Sequence, residues 1–215
     1  MAGFPVLETR RLMLREFRPS DVQAVFDIFS RDVVTRYHNL ETMQSLEPAE
    51  KIVEMRASMF GKGWGIRWGI VLKAQTDTVI GSCGYYNLNS GYHSAEIGYD
   101  LHPDYWRRGI MTEALAAAIA YGFGDGFFFH LNRIEAVTYP EHTASTALLR
   151  KLGFQEEGIR REGGYWKNQY HDLRVFSLLR RDWEISLAGE KIGHLSNRKT
   201  RQVSDAPGGF LLYYE

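Results

Sequence analysis

Residues able to do chemistry concentrate in Tyr105-Trp106-Arg107-Arg108-Gly109-Ile110-Met111-Thr112-Glu113-Ala114. The block follows an apolar run, Ala95 to Leu101, closed by His102-Pro103-Asp104, and it precedes Leu115 to Ala120, a run of strong helix formers. The local order is therefore strand, short basic loop with a glycine, helix. A helix start leaves backbone N–H groups without intrahelical partners and carries the positive end of the dipole. With two arginines beside it, such a junction suits a phosphate or pyrophosphate. An ordinary solvated loop, in which Gly109 only eases a turn, fits the same residues. The pattern is neither the Walker Gly-x-x-x-x-Gly-Lys-Ser/Thr loop nor the Gly-x-Gly-x-x-Gly dinucleotide fingerprint. No His, Cys, Asp and Glu set has metal-ligand spacing, so no metal is expected.

The whole block resembles the acyl-CoA pyrophosphate loop of the GNAT N-acetyltransferase superfamily, in the form found in its RimJ/RimL-type branch. Trp106, Gly109 and Met111 stand at the positions of the usual Gln/Arg-x-x-Gly-x-Gly/Ala pattern, so its first and last members depart from it. A second block, His142-Thr143-Ala144-Ser145-Thr146-Ala147-Leu148-Leu149-Arg150-Lys151-Leu152-Gly153-Phe154, resembles the superfamily segment Asn-x-x-Ser-x-x-x-Leu-Glu-Lys-Leu-Gly-Phe. A third piece, Asn168-Gln169-Tyr170-His171-Asp172, resembles the Asn-Gly-x-Tyr-x-Asp hairpin of the same branch. The resemblance spans Leu7 to Asp182. It implies an α+β fold, an α/β/α sandwich whose mixed, strongly twisted sheet has about six or seven strands flanked by about four helices. It also implies acetyl-CoA as co-substrate, lying where two central parallel strands, Ser94–Leu101 and Arg133–Thr138, splay apart. Its pyrophosphate would meet Arg107, Arg108, Gly109, Ile110, Met111 and Thr112. Its pantetheine would meet strand backbone at Asp100 and Leu101, and His142 would stand where an Asn usually helps hold it.

The implied chemistry is attack of an amine on a thioester. An amine is mostly protonated at pH 7, so a base must take its proton, directly or through water. The oxyanion needs a donor, for which a backbone N–H beside a bulge at Gly98 is the candidate. The departing thiolate needs a proton. Many superfamily members use a Tyr for this, at the position that is Leu149 here. Ser145, one helical turn earlier on the same face, is the acid that the RimL-like resemblance implies; a helix-capping hydroxyl is the other reading. Glu96, on the strand that would line the cofactor, is the candidate base, with a solvated carboxylate as the alternative. RimL-like enzymes carry a base Glu where alignment on Tyr170-His171-Asp172 puts Gly164, and Glu162 stands two residues away. A coenzyme-A-binding protein without turnover is the runner-up reading. An interaction module using an apolar tail is a third.

The elements that must position these groups are legible as patterns. Leu12 and Leu14 make a first strand, and Ser20 with Gln23 has the spacing of a capping box before a helix striped by Val22, Val25, Phe26 and Phe29. A second helix runs from Pro48 to Phe60 with Ile52, Met55 and Met59 on its apolar face, ended by Gly61 and Gly63. In the resembled family the first two helices and their connecting loop wall the acceptor site, which makes Tyr37-His38-Asn39 candidates for substrate contact. Strands are expected at Ile66–Leu72, Val79–Tyr86, Ser94–Leu101, Arg133–Thr138, Gln155–Arg160 and His171–Leu179, with a short helix from Thr146 to Leu152. A strand, a helix and a further strand imply a right-handed crossover and a parallel pair.

Length, composition and charge narrow the class. The 215 residues fit one domain, and an apolar share of 44% suffices for a core. Lys plus Arg equals Asp plus Glu, 26 against 26, so no overall field favours nucleic acid or an anionic membrane. Cys83 is the single cysteine, as suits a reducing cytoplasm. There is no apolar run long enough for a membrane span and no leader pattern. The catalytic domain is expected over 7–182. The segment 183–215 reads as a flexible tail whose end, Phe210 to Tyr214, could pack on its own domain or on a partner, leaving a homodimer open.

Overall fold

Runs of β-branched and aromatic residues assemble into one eight-stranded sheet in a computed structural model, described over residues 3–188. Its strands are β1 (Leu7–Glu8), β2 (Leu12–Arg15), β3 (Ile66–Leu72), β4 (Gln75–Asn89), β5 (Ser94–Leu101), β6 (Arg133–Thr138), β7 (Gln155–Trp166) and β8 (Gln169–Leu179). Their spatial order is β1-β2-β3-β4-β5-β6-β8-β7. Every pairing is antiparallel except β5 with β6. That parallel pair is joined by the crossover helix α4 (Ile110–Gly122), as the strand–helix–strand pattern requires. The strands expected at 66–72, 94–101 and 133–138 hold to the residue. The eighth strand is the two-residue β1, too short to leave a pattern. β7 and β8 run on to a tight turn at Lys167 and Asn168, both at positive φ (52° and 58°), the type I′ geometry of a two-residue hairpin.

Helices cover both faces. On one, α1 (Val22–Phe29), the single turn α2 (Asp32–Thr35) and α3 (Glu47–Met59) enclose a cluster of Phe17, Val25, Ile28, Phe29, Ala49, Val53, Val71 and Val79. On the other, α4 packs on Trp68 and Tyr85, the Tyr85 hydroxyl donating to the Ala118 carbonyl (3.0 Å), and α5 (Thr143–Lys151) lies beside β6 and β7.

Two local expectations are corrected. Ser20 and Gln23 form no capping box. Asp21, fully buried, accepts the Arg18 backbone N–H (2.7 Å) and pairs through both oxygens with buried Arg15 of β2 (2.8 and 2.9 Å). The buried face of α3 is Ala49, Val53 and Arg56, while Met55 is 48% exposed. Arg56 meets Asp100 on this buried face (3.2 Å), and Ile52 packs partly buried beside it. Residues 180–188 are helical, and a second compact unit begins at Arg181. The rest of the expected tail, 189–215, lies outside the described residues. No described helix is long and apolar enough to cross a membrane.

Candidate active site

The central strands part where the chemistry was expected. β5 pairs with β6 only from Ser94 to Glu96, against Arg133 to Glu135. Beyond that point β5 continues to Leu101 on β4 alone, and β6 continues to Thr138 on β8 alone. Main-chain groups alternate along a strand. The His102 N–H reaches Ile80 on the β4 side (2.8 Å), while the His93 carbonyl accepts from Arg133 on the β6 side (3.1 Å). Tyr99 and Leu101 therefore turn their backbone into the gap, with no strand opposite. The Trp106 indole N–H caps the Leu101 carbonyl (2.8 Å) and leaves the Leu101 N–H available.

Asp100 does not share this position. Its backbone faces Ser82 of β4, and its carboxylate accepts from Ser82 Oγ (2.5 Å), Arg67 (2.6 Å) and Arg56 (3.2 Å) beneath the sheet. It is a buried support of the groove, and the residue facing the gap beside Leu101 is Tyr99. Burial alone would raise the Asp100 carboxyl, but the charges of Arg56 and Arg67 and the Ser82 hydrogen bond outweigh it and hold it below its ordinary value. A bulge at Gly98 is likewise absent, since Gly84 pairs Gly98 in unbroken register and the irregularity falls between Tyr86 and Asn89. A side chain at position 98 would be tight. A β-carbon there would sit 3.0 Å from the Tyr86 ring and 3.2 Å from Arg67 Nη1.

The basic loop sits beside this gap. Arg107 and Gly109 both have left-handed backbone (φ 59° and 70°), which turns the chain sharply into α4. The Glu113 N–H bonds the Gly109 carbonyl (3.1 Å), so those of Ile110, Met111 and Thr112 precede the helical ladder. The Ile110 and Met111 side chains are buried, so only their backbone is offered; Arg107 and Arg108 are exposed. Glu113 anchors the turn from behind, accepting from Thr9 Oγ1 (2.6 Å), the Arg11 N–H (2.8 Å) and Arg11 Nε (2.6 Å), while Arg11 Nη1 holds the Arg108 carbonyl (2.9 Å). The Arg108 guanidinium lies over the Tyr105 ring at 5.5 Å.

Glu96 and Ser145 flank the point where the strands part. Glu96, half-buried, accepts from Asn87 Nδ2 (3.0 Å) and lies opposite Tyr86, whose phenol is pushed up to about 12 by burial and by the Glu96 charge. Ser145, in the first turn of α5, has its Oγ 2.7 Å from Tyr99 Oη. It is no cap, because His142 occupies that position and makes no side-chain cap bond. Consecutive residues of a strand point to opposite faces, so Glu96 is on one side of β5 and Tyr99 with Ser145 on the other. Leu149 is fully buried core.

The loop after α2 closes over the same end of the sheet. Tyr37 stacks on the His142 ring (4.5 Å) and lies against Tyr139 (5.7 Å), and Lys167 Nζ of the β7–β8 turn donates to the Thr35 carbonyl (2.7 Å). Burial lowers the His142 imidazole. His38 falls to about 4, by desolvation first; Asp100 pulls the other way, and the charges of Arg67, Arg56 and Lys167 add to the lowering. It is therefore neutral at pH 7 and accepts the Leu40 N–H at Nδ1 (3.2 Å). Glu162 sits apart on a bulge of β7 (φ 49°). Its N–H bonds Asp172 (2.8 Å), beside a surface cavity of about 580 Å³ that Arg161 and Asp172 also line.

The acetyltransferase (GNAT) domain family matches residues 11–155. The chain belongs to the GNAT acetyltransferase family. It is 40% identical to the uncharacterized N-acetyltransferase YoaA of Bacillus subtilis (strain 168), over 82% of this chain and 98% of that protein. It is 26% identical to the ribosomal protein uS5-alanine N-acetyltransferase of Escherichia coli (strain K12), over 82% of this chain and 92% of that one. The solved structure of the ribosomal-protein acetyltransferase RimL in complex with coenzyme A has the same fold, with a TM-score of 0.70 at 20% identity, covering 81% of this chain and 98% of RimL. As a GNAT acetyltransferase the protein is an acetyl-CoA:amine N-acyltransferase, with acetyl-CoA as co-substrate. Among the described residues no group of His, Cys, Asp and Glu is arranged to hold a metal. Two residues that this geometry brings to the gap and to its buried support, Tyr99 and Arg56, were not singled out from the sequence. Tyr99 looked like one more strand residue, and Arg56 was hidden because a charged residue was not expected on the buried face of a helix.

Proposed function

We propose that this GNAT enzyme acetylates the α-amine of a protein N-terminus, using acetyl-CoA bound in the gap between β5 and β6. The observation that carries the reading is the gap opened where the β5–β6 ladder ends at Glu96, along the strand that leads to the N–H groups at the start of α4. Gly109, Ile110, Met111 and Thr112 offer backbone N–H groups, and Arg107 and Arg108 offer charge, to the pyrophosphate. Tyr99 and Leu101 offer backbone to the pantetheine, and the His142 ring, fixed by Tyr37, offers one imidazole nitrogen. Glu96 takes the amine proton from one face of β5, and Ser145 hydrogen-bonds the departing sulfur from the other. Glu162 lies on the β7 bulge and is the less favoured base. Support for the acceptor class comes from the relative named as a ribosomal protein uS5-alanine N-acetyltransferase. Such an acceptor would place the reaction in the cytoplasm. The catalytic domain is assigned to 7–182, with 183–215 outside it.

Release of free coenzyme A, measured with peptides beginning Ala or Ser, polyamines and aminoglycosides, tests this. Turnover confined to the peptides is expected. Turnover of the small amines alone would move the acceptor class. Tight acetyl-CoA binding with no turnover of any amine would favour a binding protein.

A further inference from the structure

Ser145 is by itself a poor proton source, because an aliphatic hydroxyl is a far weaker acid than the thiol it would have to protonate, and efficient proton transfer needs matched acidities. Its setting supplies a better one. Tyr99 Oη lies 2.7 Å from Ser145 Oγ, and Ser145 is only 7% exposed. Among the described residues each hydroxyl is the other's one side-chain hydrogen-bond partner. Tyr99 also comes from the odd-numbered face of β5, whose backbone borders the gap, so phenol and gap are held by one residue. One turn further along α5 stands Leu149, fully buried and without a proton to give.

We propose that Tyr99 is a positioning residue for Ser145 and the proton reservoir behind it. The phenol donates to Ser145 Oγ, which turns the serine's own O–H toward the sulfur. As the carbonyl C–S bond breaks and its electron pair stays on sulfur, the Oγ proton moves to sulfur and the Tyr99 Oη proton moves to Oγ. The phenolate regains a proton from water as coenzyme A leaves. Burial pushes the Tyr99 phenol up to about 12, with the Ser145 hydrogen bond pulling the other way, so the phenol is fully protonated at neutral pH. Tyr99 has this role only if Ser145 is the acid of the proposed reaction.

The experiment uses the full chain with acetyl-CoA and a peptide beginning with Ala. Tyr99→Phe keeps the ring and deletes the hydroxyl. It should lower kcat by about 10- to 100-fold, below the effect of losing a directly acting acid. The KM for acetyl-CoA should stay unchanged, and the melting temperature should fall only by the few degrees that one lost buried hydrogen bond implies. A tyrosine fluorinated beside its hydroxyl at position 99, a stronger acid of the same shape, should restore kcat. In mixtures of light and heavy water the wild type should report two protons in flight and Tyr99→Phe one. Unchanged kcat in Tyr99→Phe, with kcat lowered in Ser145→Ala, would overturn the role of Tyr99 and leave Ser145 as the acid. Unchanged kcat in both variants would remove the Ser145 assignment and Tyr99 with it.

Discussion

Arg67 Nη2 lies 2.6 Å from Asp100 Oδ2, and the same oxygen takes Arg56 Nη2 from α3 at 3.2 Å. This buried triad ties α3 to β3 and β5 under the gap. Asp100→Asn should therefore destabilise the fold by about 3–5 kcal/mol, because it leaves two guanidinium groups without their counter-charge. Urea unfolding measures this. The folded Asp100 carboxyl is depressed, so its stabilisation is present above the unfolded value of about 3.9 and is lost as pH falls through the folded value. Asp100→Asn should flatten that acid limb.

His38 gives a second pH signature at higher pH. Its folded value, about 4, is below the ordinary imidazole value of 6.5, so the unfolded chain binds the extra proton between them. Stability should be full above about 6.5 and fall as pH drops toward 4, by on the order of 2 kcal/mol for a partly buried ring. Thermal melts of His38→Gln across this window should lose the slope. A slope unchanged by the substitution would assign it to other groups.

The loop makes separable predictions for conformation and charge. A β-carbon at Gly109 would find nothing closer than Arg11 Nη2 at 3.6 Å, so the glycine is there for its φ of 70°. Gly109→Ala should cost about 1–2 kcal/mol in backbone strain while the protein stays folded, and the distorted helix start should weaken acetyl-CoA binding. Arg107→Ala with Arg108→Ala should leave stability unchanged and weaken binding by roughly 1–3 kcal/mol per charged hydrogen bond lost. Calorimetric titration with coenzyme A reads both, and full affinity in the double variant would move the pyrophosphate elsewhere.

Removal of the candidate base should show in the pH–rate profile. Glu96→Gln keeps a partner for Asn87 and should lower kcat on the order of 10²–10⁴ near neutrality, recovering partly at high pH as free amine becomes available. Acetyl-CoA affinity should not change. A wild-type profile in Glu96→Gln, with a lowered one in Glu162→Gln, would transfer the base to the β7 bulge.

The domain assignment is tested by truncation after Ala188, which keeps the whole described helix over 180–188. The shortened chain should melt as the full chain does and bind acetyl-CoA equally. Loss of either would give residues 189–215 a part in the domain.

Much of this protein was determined by its sequence alone. The apolar runs that became β3, β5 and β6 had the period and turn residues to fix their own ends, and the Tyr105–Ala114 block carried the loop and helix start that follow β5. Such features are local, since a helix start or a positive-φ glycine is set by its immediate neighbours. What the sequence left open depends on register and on partners distant in the chain. Whether Asp100 or Tyr99 faces the gap turns on a one-residue alternation that only pairing with β4 decides. Arg56 is buried because Asp100, on another element, neutralises it. Tyr99 and Ser145 meet only because β5 and α5 are brought together in the fold. Tertiary structure decided these, because burial, ion pairing and strand register are long-range and no spacing within one segment encodes them.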